Sequence, residues 1–296
     1  MSTRLRSTVL LLASSLAIAI AQPSTIPDWQ TAAGGKMAFE VASIKPSTGK
    51  FTPPAFPLDA GDAFASTGGR FSADFPLWVF ITFAYKLTLT PEQSRAMLEH
   101  LPKWVASDRF SVQAKAEGNA TKDQMRLMMQ SLLADRFQLA IHFETQEASI
   151  FALTLVKPGK LGPNLRPHAD GPPCDAPDPK VFPPRCDVYG MTMFPGKMPM
   201  AGSRNTTMDL LASGLSGLGR LGRPVINQTG LTGRFDFTLE WVREREGPPP
   251  PEATAPDLQG PTFLEALHDQ LGLKLESSKG PVQILVVDHV ERPSEN

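Results

Sequence analysis

Hydrophobic and polar residues alternate along two stretches of the chain, and both stretches begin with Arg-Phe. In residues 109–116 (RFSVQAKA) the alternation places Phe110, a valine and two alanines on one face. In residues 234–241 (RFDFTLEW) it places Phe235, Phe237, a leucine and a tryptophan together. A period of two residues is typical of a half-buried β-strand. The pattern therefore predicts two strands of the same kind, 125 positions apart.

Apolar residues at helical spacing predict an α-helix over residues 121–135. Thr121 and Gln124 have the spacing of a capping box, which satisfies free backbone N–H groups at a helix start. The apolar stripe comprises Met125, Met128, Met129, Leu132 and Leu133. Methionines that alternate with leucine in this way indicate a core stripe rather than an adaptable binding surface. Further helices are predicted to begin at Pro76, Thr90, Asn205 and Pro261.

Two hairpins are predicted from pairs of neighbouring apolar runs. Residues 137–143 and 151–156 would pair back on each other across residues 146–149. Residues 273–277 and 282–290 would do so across a turn at Lys279-Gly280. With these hairpins, each half of the chain contains helix, strand, helix, strand and strand. We interpret this order as two repeated α+β modules, each with two helices packed on a three- to four-stranded, mostly antiparallel sheet.

The predicted domain organisation follows from this repeat. The segments are a signal peptide (1–21), an N-terminal strand and loop (22–68), a first module (69–157), a connector (158–202) and a second module (203–296). Proline and glycine are frequent in the connector, which shows little periodicity. Residues 246–260 are rich in proline and are predicted to be a disordered insertion in the second module.

The first 21 residues predict export. Arg4 and Arg6 precede an apolar run, and Ala19-Ile20-Ala21 forms an A-x-A cleavage site. The alternative is a membrane anchor, but the apolar run is shorter than the roughly 20 residues that a spanning helix needs. The expected location is the periplasm or the extracellular space, without stable membrane insertion after cleavage of the signal. The formal net charge of −1 provides no basic face for nucleic acid.

Cys174 and Cys186, the only cysteines of the chain, lie in the connector. Exported proteins meet oxidising conditions, so a disulfide between these two residues is predicted. The alternative is a metal or redox pair. C-x-x-C spacing is absent and no histidine lies between the two cysteines, which disfavours that alternative.

Several separated motifs resemble a known family. They are FEVASIKPS (39–47), GGRF (68–71), SLLADRFQL (131–139), GRPVINQTGLTGRFDFTLEW (222–241) and LGLKLESSKGPVQILVVDHVERPSEN (271–296). These residues are similar to an expanded family of exported, soil-associated acidobacterial proteins of unknown function. That family has no established activity, so the resemblance carries over no catalytic residues. Similar domains in relatives are fused to membrane metallopeptidase sensors of the BlaR type. The order of elements also resembles the short N-terminal domains of secretins and TonB-dependent receptors, an analogy of topology alone.

Known catalytic signatures are absent from the sequence: there is no HExxH, G-x-S-x-G or phosphate-binding loop. The five histidines have no metal-ligand spacing, and neither a metal nor a cofactor site is predicted. Asp288 and His289 are adjacent, but neighbours on a strand point to opposite faces. Asp236 and Glu240 share one face of their strand, where an exposed polar surface is the simpler interpretation than acid–base chemistry.

Three functions are compatible with these observations. The first is a non-catalytic envelope protein that binds a protein partner or a ligand through twin modules. The second is an exported hydrolase with an unconventional carboxylate site at Asp236, Glu240 or Asp288. The third is a sensory domain that acts with a separately encoded membrane metallopeptidase. Whether a pocket lies between the two modules is the most informative observation, and a deep polar pocket with converging carboxylates would favour the hydrolase.

Overall fold

The computed structural model describes most of the chain between residues 27 and 293. The described residues are 27–47, 49, 51, 53–62, 64–169, 186–187, 190–192, 197–242 and 259–293. The predicted signal peptide, Cys174 and most of the predicted insertion at 246–260 lie outside these residues. None of the helices in the described part combines the length and hydrophobicity that crossing a membrane requires.

The described residues form an α+β fold with three sheets. The helices are α1 (Asp28–Ala32), α2 (Leu77–Ala84), α3 (Pro91–Glu99), α4 (Trp104–Ser107), α5 (Lys122–Phe137), α6 (Met208–Leu218) and α7 (Phe263–Ala266), which continues as a π-helical turn (Leu267–Leu271). The strands are β1 (Val41–Pro46), β2 (Arg70–Pro76), β3 (Arg109–Lys115), β4 (Ala140–Leu155), β5 (Leu165–Pro167), β6 (Gly190–Thr192), β7 (Met200–Thr206), β8 (Val225–Asn227), β9 (Phe235–Glu240) and β10 (Leu273–His289). Pairing is antiparallel except between β4 and β8.

The first hydrophobic core lies between the sheet β1-β3-β2 and the helices α2 and α5. The alternation at residues 109–116 is confirmed, because β3 is the central strand and buries Phe110 and Val112. The predicted capping boxes at Thr90 and Thr121 are both present at the starts of α3 and α5. Pro76 is the N-cap of α2 and not its first helical residue.

The second hydrophobic core lies between the sheet β5-β9-β7-β6 and the helices α6 and α7. The alternation at residues 234–241 is confirmed: β9 is an inner strand of this sheet and buries Phe235, Phe237 and Leu239. The helix predicted to begin at Asn205 begins later. Thr207 is its N-cap, because residues up to Thr206 extend β7 beside β9.

A long ribbon, formed by β4 and β10 with the short strand β8 beside β4, runs through both cores. Its register joins Leu273 to Leu155 at one end and His289 to Ala140 at the other. Leu285 belongs to the first core, whereas Leu153 and Leu273 belong to the second. Each core therefore receives one half of the same ribbon.

The ribbon corrects the two predicted hairpins. Residues 146–149 and Lys279-Gly280 lie inside β4 and β10, which are continuous and pair with each other. Residues 146–149 contain no glycine or proline that would set up a tight turn. Gly280 serves packing instead, because a Cβ at this position would come within 2.9 Å of Ile150 Cδ1. The apolar runs indicated extended segments, but the structure joins each predicted pair into one long strand and pairs the two long strands with each other.

The predicted connector contributes to the second core. β5, β6 and part of β7 lie within residues 158–202 and join the sheet that contains β9. The two cores differ in their sheets, with three strands in the first and four in the second. The α+β class is thus confirmed, whereas the internal repeat and the domain boundaries stay predictions.

Candidate functional site between the two cores

A polar cleft of about 300 Å³ lies where residues of the two cores meet. From the first half of the chain it is lined by Trp29, Ala60, Gly61, Asp62, Lys86 and Thr88. From the second half it is lined by Asp187, Thr207, Asp209, Leu210 and Ser213. A groove of about 350 Å³ beside β1 and α5 is larger, but residues 38–42 and α5 alone line it. The cleft is the stronger candidate because distant segments bring charged, hydroxyl and aromatic side chains together there.

The first wall of the cleft is a loop, residues 59–62, that α5 holds from behind. Lys122 Nζ contacts Asp59 Oδ1 at 2.7 Å and donates to the carbonyl of Gly61 at 2.6 Å. Arg126 Nη2 donates to the carbonyls of Asp59 and Gly61 at 2.9 and 2.7 Å. Both cations are buried. Burial lowers the pKa of Lys122, and the charge of Asp59 opposes that shift.

Lys86 completes this wall at the end of α2. Its Nζ lies 2.6 Å from Asp62 Oδ1 and 3.3 Å from Asp123 Oδ1, and 5.7 Å from the centre of the Trp29 ring. Asp123 also pairs with Arg126. Burial raises the pKa of Asp62, but Lys86 and Arg126 together outweigh it and hold that pKa below its usual range. Asp62 is thus an ionised, immobilised carboxylate at the cleft.

Asp187 links the two walls. Its Oδ2 accepts a hydrogen bond from the backbone N–H of Asp62 at 2.7 Å, and its Oδ1 accepts one from Arg234 at 3.1 Å. The backbone N–H of Asp187 donates to the carbonyl of Arg204 at 2.7 Å. A Cβ on Gly61 would overlap the carbonyl oxygen of Asp187, so only glycine permits this approach of the two backbones.

The start of α6 forms the second wall. Thr207 caps the helix by accepting from the N–H of Leu210 at 3.2 Å. Asp209, in the first turn, accepts from the Asn227 amide at 2.9 Å. Ser213 donates its hydroxyl proton to the carbonyl of Leu210 at 2.9 Å. Positions 209 and 213 are one turn apart, so both side chains lie on the helix face that borders the cleft.

Most polar side chains of the cleft present oxygen atoms that accept hydrogen bonds. Ionised carboxylates only accept hydrogen bonds, and the hydroxyl of Ser213 already uses its proton. Within the described part of the chain, no group of three or more His, Cys, Asp and Glu side chains is placed to hold a metal ion. The arrangement can bind a hydrogen-bond donor between two walls that are already in position.

The predicted carboxylates do not lie at the cleft or form a pair. Asp288 lies on β10, while Asp236 and Glu240 lie on β9 in another sheet. Four residues of strand separate Asp236 from Glu240 by about 13 Å. Paired catalytic carboxylates of glycosidases are about 5–9.5 Å apart. Glu240 is exposed, and its backbone exchanges two hydrogen bonds with the Gln270 amide.

Asp236 has a partner that the sequence pattern did not indicate. His168 Nδ1 lies 2.6 Å from Asp236 Oδ1, which also accepts from the backbone N–H of Asn205 at 2.9 Å. Arg166 Nε lies 3.7 Å from Asp236 Oδ2. The side chain of Asp236 is only 15% exposed, so the prediction of an exposed strand face is wrong at this position. His168 covers Asp236 from the position directly after β5, within a connector that gave no periodic signal.

The remaining predicted residues that the structure describes do not line the cleft. Asp288 contacts His142 Nδ1 across the ribbon at 2.9 Å, while His289 contacts Glu291. Hydrogen bonds to the carboxylates of Asp288 and Glu144 raise the pKa of His142, which is exposed. Cys186 is buried directly before Asp187, and its predicted partner Cys174 lies outside the described residues. The disulfide therefore stays a prediction.

Sequence reasoning missed the residues that build the cleft. Lys122 and Arg126 are four positions apart and thus on one helix face, and this spacing is the only signal the sequence contains. Their partners, Asp59 and Gly61, lie more than 60 positions earlier. The sequence contains no local pattern that indicates contacts between residues so far apart.

A family model described as "Protein of unknown function (DUF3738)" matches residues 79–290. No curated protein and no solved structure matches the chain. The matched region contains Lys86, Asp187 and Asp209, and it begins after Trp29 and the loop at 59–62.

Proposed function

The chain belongs to the DUF3738 family, and we propose that it is an exported, non-catalytic protein that binds a small polar ligand in the cleft between its two cores. One observation carries this proposal. Residues from five separate segments converge on one cleft, and partners inside the protein hold its charged side chains. Such a site needs little rearrangement to bind a ligand, and that lowers the cost of binding.

The cleft has one wall from each half of the chain, which supports a binding role for twin modules. Each core packs at least one helix on an antiparallel sheet, and each includes one half of the β4–β10 ribbon. We treat the cores as diverged copies of one α+β module whose junction became the binding site. Export rests on the charged, apolar and A-x-A segments of residues 1–21. In an exported chain, the proposed Cys174–Cys186 disulfide would restrain the segment that leads to Asp187.

A non-catalytic role agrees with the state of the charged groups at the cleft. Asp62 is paired with Lys86, and Asp187 is paired with Arg234. A general acid or base needs a pKa near the working pH, which enzymes obtain by isolating or desolvating the group. The pKa of Asp62 is shifted in the opposite direction, below its usual range. This carboxylate is suited to accepting hydrogen bonds rather than protons.

A variant that fills the cleft tests the proposal. Ser213→Trp introduces a large side chain on the cleft face of α6, and Ser94→Trp introduces the same side chain in α3, which does not line the cleft. Thermal unfolding is measured for both variants and the wild type against a library of neutral, cationic and anionic small molecules. We expect at least one compound to raise Tm in the wild type and in Ser94→Trp but not in Ser213→Trp. If every stabilising compound acts equally on all three proteins, the cleft is not the binding site.

The pair of His168 and Asp236 favours a hydrolase as the second candidate. A carboxylate that accepts from Nδ1 fixes the tautomer of an imidazole and leaves Nε2 as the basic nitrogen, an arrangement found in general bases. The exposed guanidinium of Arg166 lies beside it and suits an anionic ester. Under this hypothesis, the purified protein hydrolyses a chromogenic phosphate or carboxylate ester, and His168→Ala and Asp236→Asn abolish the activity. Activity that persists in both variants would exclude this site.

A further inference from the structure

We infer that the cleft takes a neutral ligand rich in hydroxyl groups, such as a short saccharide. The inference rests on the proposed binding role and assigns a chemical class to its ligand. Three features of the cleft carry it: the internal pairing of its charges, its excess of hydrogen-bond acceptors and the ring of Trp29.

The charges at the cleft are largely compensated by the protein. Lys86 lies between Asp62 and Asp123, and Asp187 accepts from Arg234. Behind the loop, Lys122 and Arg126 neutralise Asp59 and Asp123. Asp209 is the lining carboxylate whose described partner, the Asn227 amide, is neutral. A strongly charged ligand would find few charges to pair with, and desolvating an ion without a partner is unfavourable.

Hydrogen-bond acceptors are in excess along the lining. Each carboxylate offers about four lone-pair positions, and the contacts described for Asp62, Asp187 and Asp209 fill only some of them. The hydroxyl of Ser213 donates its proton to the carbonyl of Leu210, which leaves its oxygen to accept. A complementary ligand must therefore bring several donors without a net charge. Hydroxyl groups on adjacent carbons meet that requirement and can also accept from Lys86.

Trp29 adds an apolar surface to this polar lining. Its ring borders the cleft from α1, and the ammonium of Lys86 lies 5.7 Å from the ring centre. The ring thus already has a cation near it, which disfavours a second one, such as an amine ligand. The C–H groups of a sugar ring can pack on an indole while the hydroxyls reach the carboxylates. An aromatic ring beside a small number of polar groups is a frequent feature of small-molecule sites.

Two charged sugars, each of which differs from D-glucose in one substituent, test the charge of the ligand. D-glucose is neutral, D-glucosamine is cationic and D-glucuronate is anionic, and maltose is added as a longer neutral probe. Binding to the full mature chain is measured by isothermal titration calorimetry at constant ionic strength. We expect the neutral sugars to bind roughly tenfold more tightly than either charged analogue, since an ion loses solvation on entry. Tighter binding of glucosamine or glucuronate would overturn the inference.

Two variants locate the binding. Trp29→Ala is expected to weaken sugar binding roughly tenfold through loss of the aromatic contact. Asp209→Asn is expected to weaken it roughly tenfold or more, because hydrogen bonds to a charged acceptor are the stronger ones. Asp269→Asn is the matched control, since Asp269 also lies in the first turn of its helical segment and is exposed. Circular dichroism establishes that each variant is folded.

The outcomes separate this inference from the proposed function. If no sugar binds up to its solubility limit while the library yields a compound that is sensitive to Ser213→Trp, the saccharide class is wrong and the binding role stands. If sugars bind equally to Trp29→Ala, Asp209→Asn and wild type, binding occurs elsewhere and the inference fails. If the library and all four sugars give no signal that depends on the cleft, both proposals fail.

Discussion

The helices α5 and α6 both serve the cleft, but they do so in different ways. α5 buries two cations, Lys122 and Arg126, and contributes no side chain to the cleft lining. The buried residues of α6 carry no charge, and its first two turns line the cleft directly with Asp209 and Ser213. α5 fixes the loop at residues 59–62 through ion pairs and hydrogen bonds but does not line the cleft. α6 forms the second wall of the cleft with its own side chains.

This difference assigns a role to the buried charges. A buried ion pair contributes less net stability than well-packed apolar side chains of similar size, because both ions lose their hydration. Lys122 and Arg126 each bind the carbonyl of Gly61 in addition to a carboxylate. Their geometry fixes residues 59–62, which have no secondary structure of their own to hold them. The positioning of the cleft wall therefore explains why two charged side chains are buried next to a hydrophobic core.

Removing Arg126 should have the largest effect and tests the support from α5. Arg126→Met fills similar space but leaves the carbonyls of Asp59 and Gly61 and the carboxylate of Asp123 without this donor. We expect a loss of about 3 kcal/mol in the free energy of unfolding, the lower end for breaking a buried pair, since Asp62 and Asp123 can reach water. Urea unfolding measures this loss.

The control for Arg126→Met is Met129→Leu, a change of similar volume in the core stripe of the same helix. It should cost less than about 1.5 kcal/mol. Equal losses in the two variants would show that α5 contributes to the fold by packing alone and that its buried charges do not support the loop.

The cores could be predicted from the sequence further than the cleft could. α5, its capping box and the strands β3 and β9 follow from local spacing, because their apolar faces repeat with the period of the element. The hairpin predictions failed because strand pairing is non-local: β4 pairs with a strand more than 100 positions away. The cleft depends on contacts of the same kind, between residues 59–62, Asp187 and α5.

Polar networks are also hard to predict from the sequence because the type of a residue does not identify its partner. The sequence indicates Asp236 as a candidate for carboxylate chemistry. Its partner His168 gives no such signal, because it lies in a segment with no periodic pattern. Asp62 and Asp187 gave no signal, because a single aspartate in a loop is compatible with a turn, a surface or a site. The type of a residue indicates which bonds it can make, but only the tertiary structure decides which it does make.

Gly61→Ala should have the next largest effect and tests how closely the two walls approach. The added Cβ would overlap the backbone carbonyl of Asp187, which cannot move as a flexible side chain could. We expect a loss of about 1–3 kcal/mol, as for other overpacked sites. Crystallography of the variant should show the hydrogen bond from the N–H of Asp62 to Asp187 lengthened or broken.

Gly217→Ala is the matched control on α6. No atom lies within 4 Å of a Cβ at this position, and its backbone is helical. Alanine should stabilise the helix by about 0.5–1 kcal/mol. If both alanine variants have the same stability, residues 59–62 do not press against Asp187.

Thr207→Ala tests the wall that α6 forms. The substitution removes the acceptor for the N–H of Leu210 and should cost about 1 kcal/mol. Thr121→Ala, at the start of α5, should cost a similar amount, because Thr121 caps its helix in the same way. The two variants should differ in ligand binding, since Thr207 lines the cleft and Thr121 does not. Equal affinity of both for a ligand that depends on the cleft would contradict the difference between the helices.

The smallest effect is expected for the acid titration of Asp62, which α5 and Lys86 stabilise as an ion. Its pKa in the folded protein lies below that of an unfolded aspartate, about 3.9. The unfolded chain then binds more protons, so this stabilisation is complete above about pH 4 and is lost as the pH falls through the lower, folded value. Because half of the Asp62 side chain is exposed, solvent screening keeps the effect small.

Asp62→Asn should therefore lose less stability than the wild type between about pH 5 and pH 3 in urea unfolding. Parallel pH profiles for the two proteins would mean that α5 fixes the backbone of the loop without controlling the charge at the cleft.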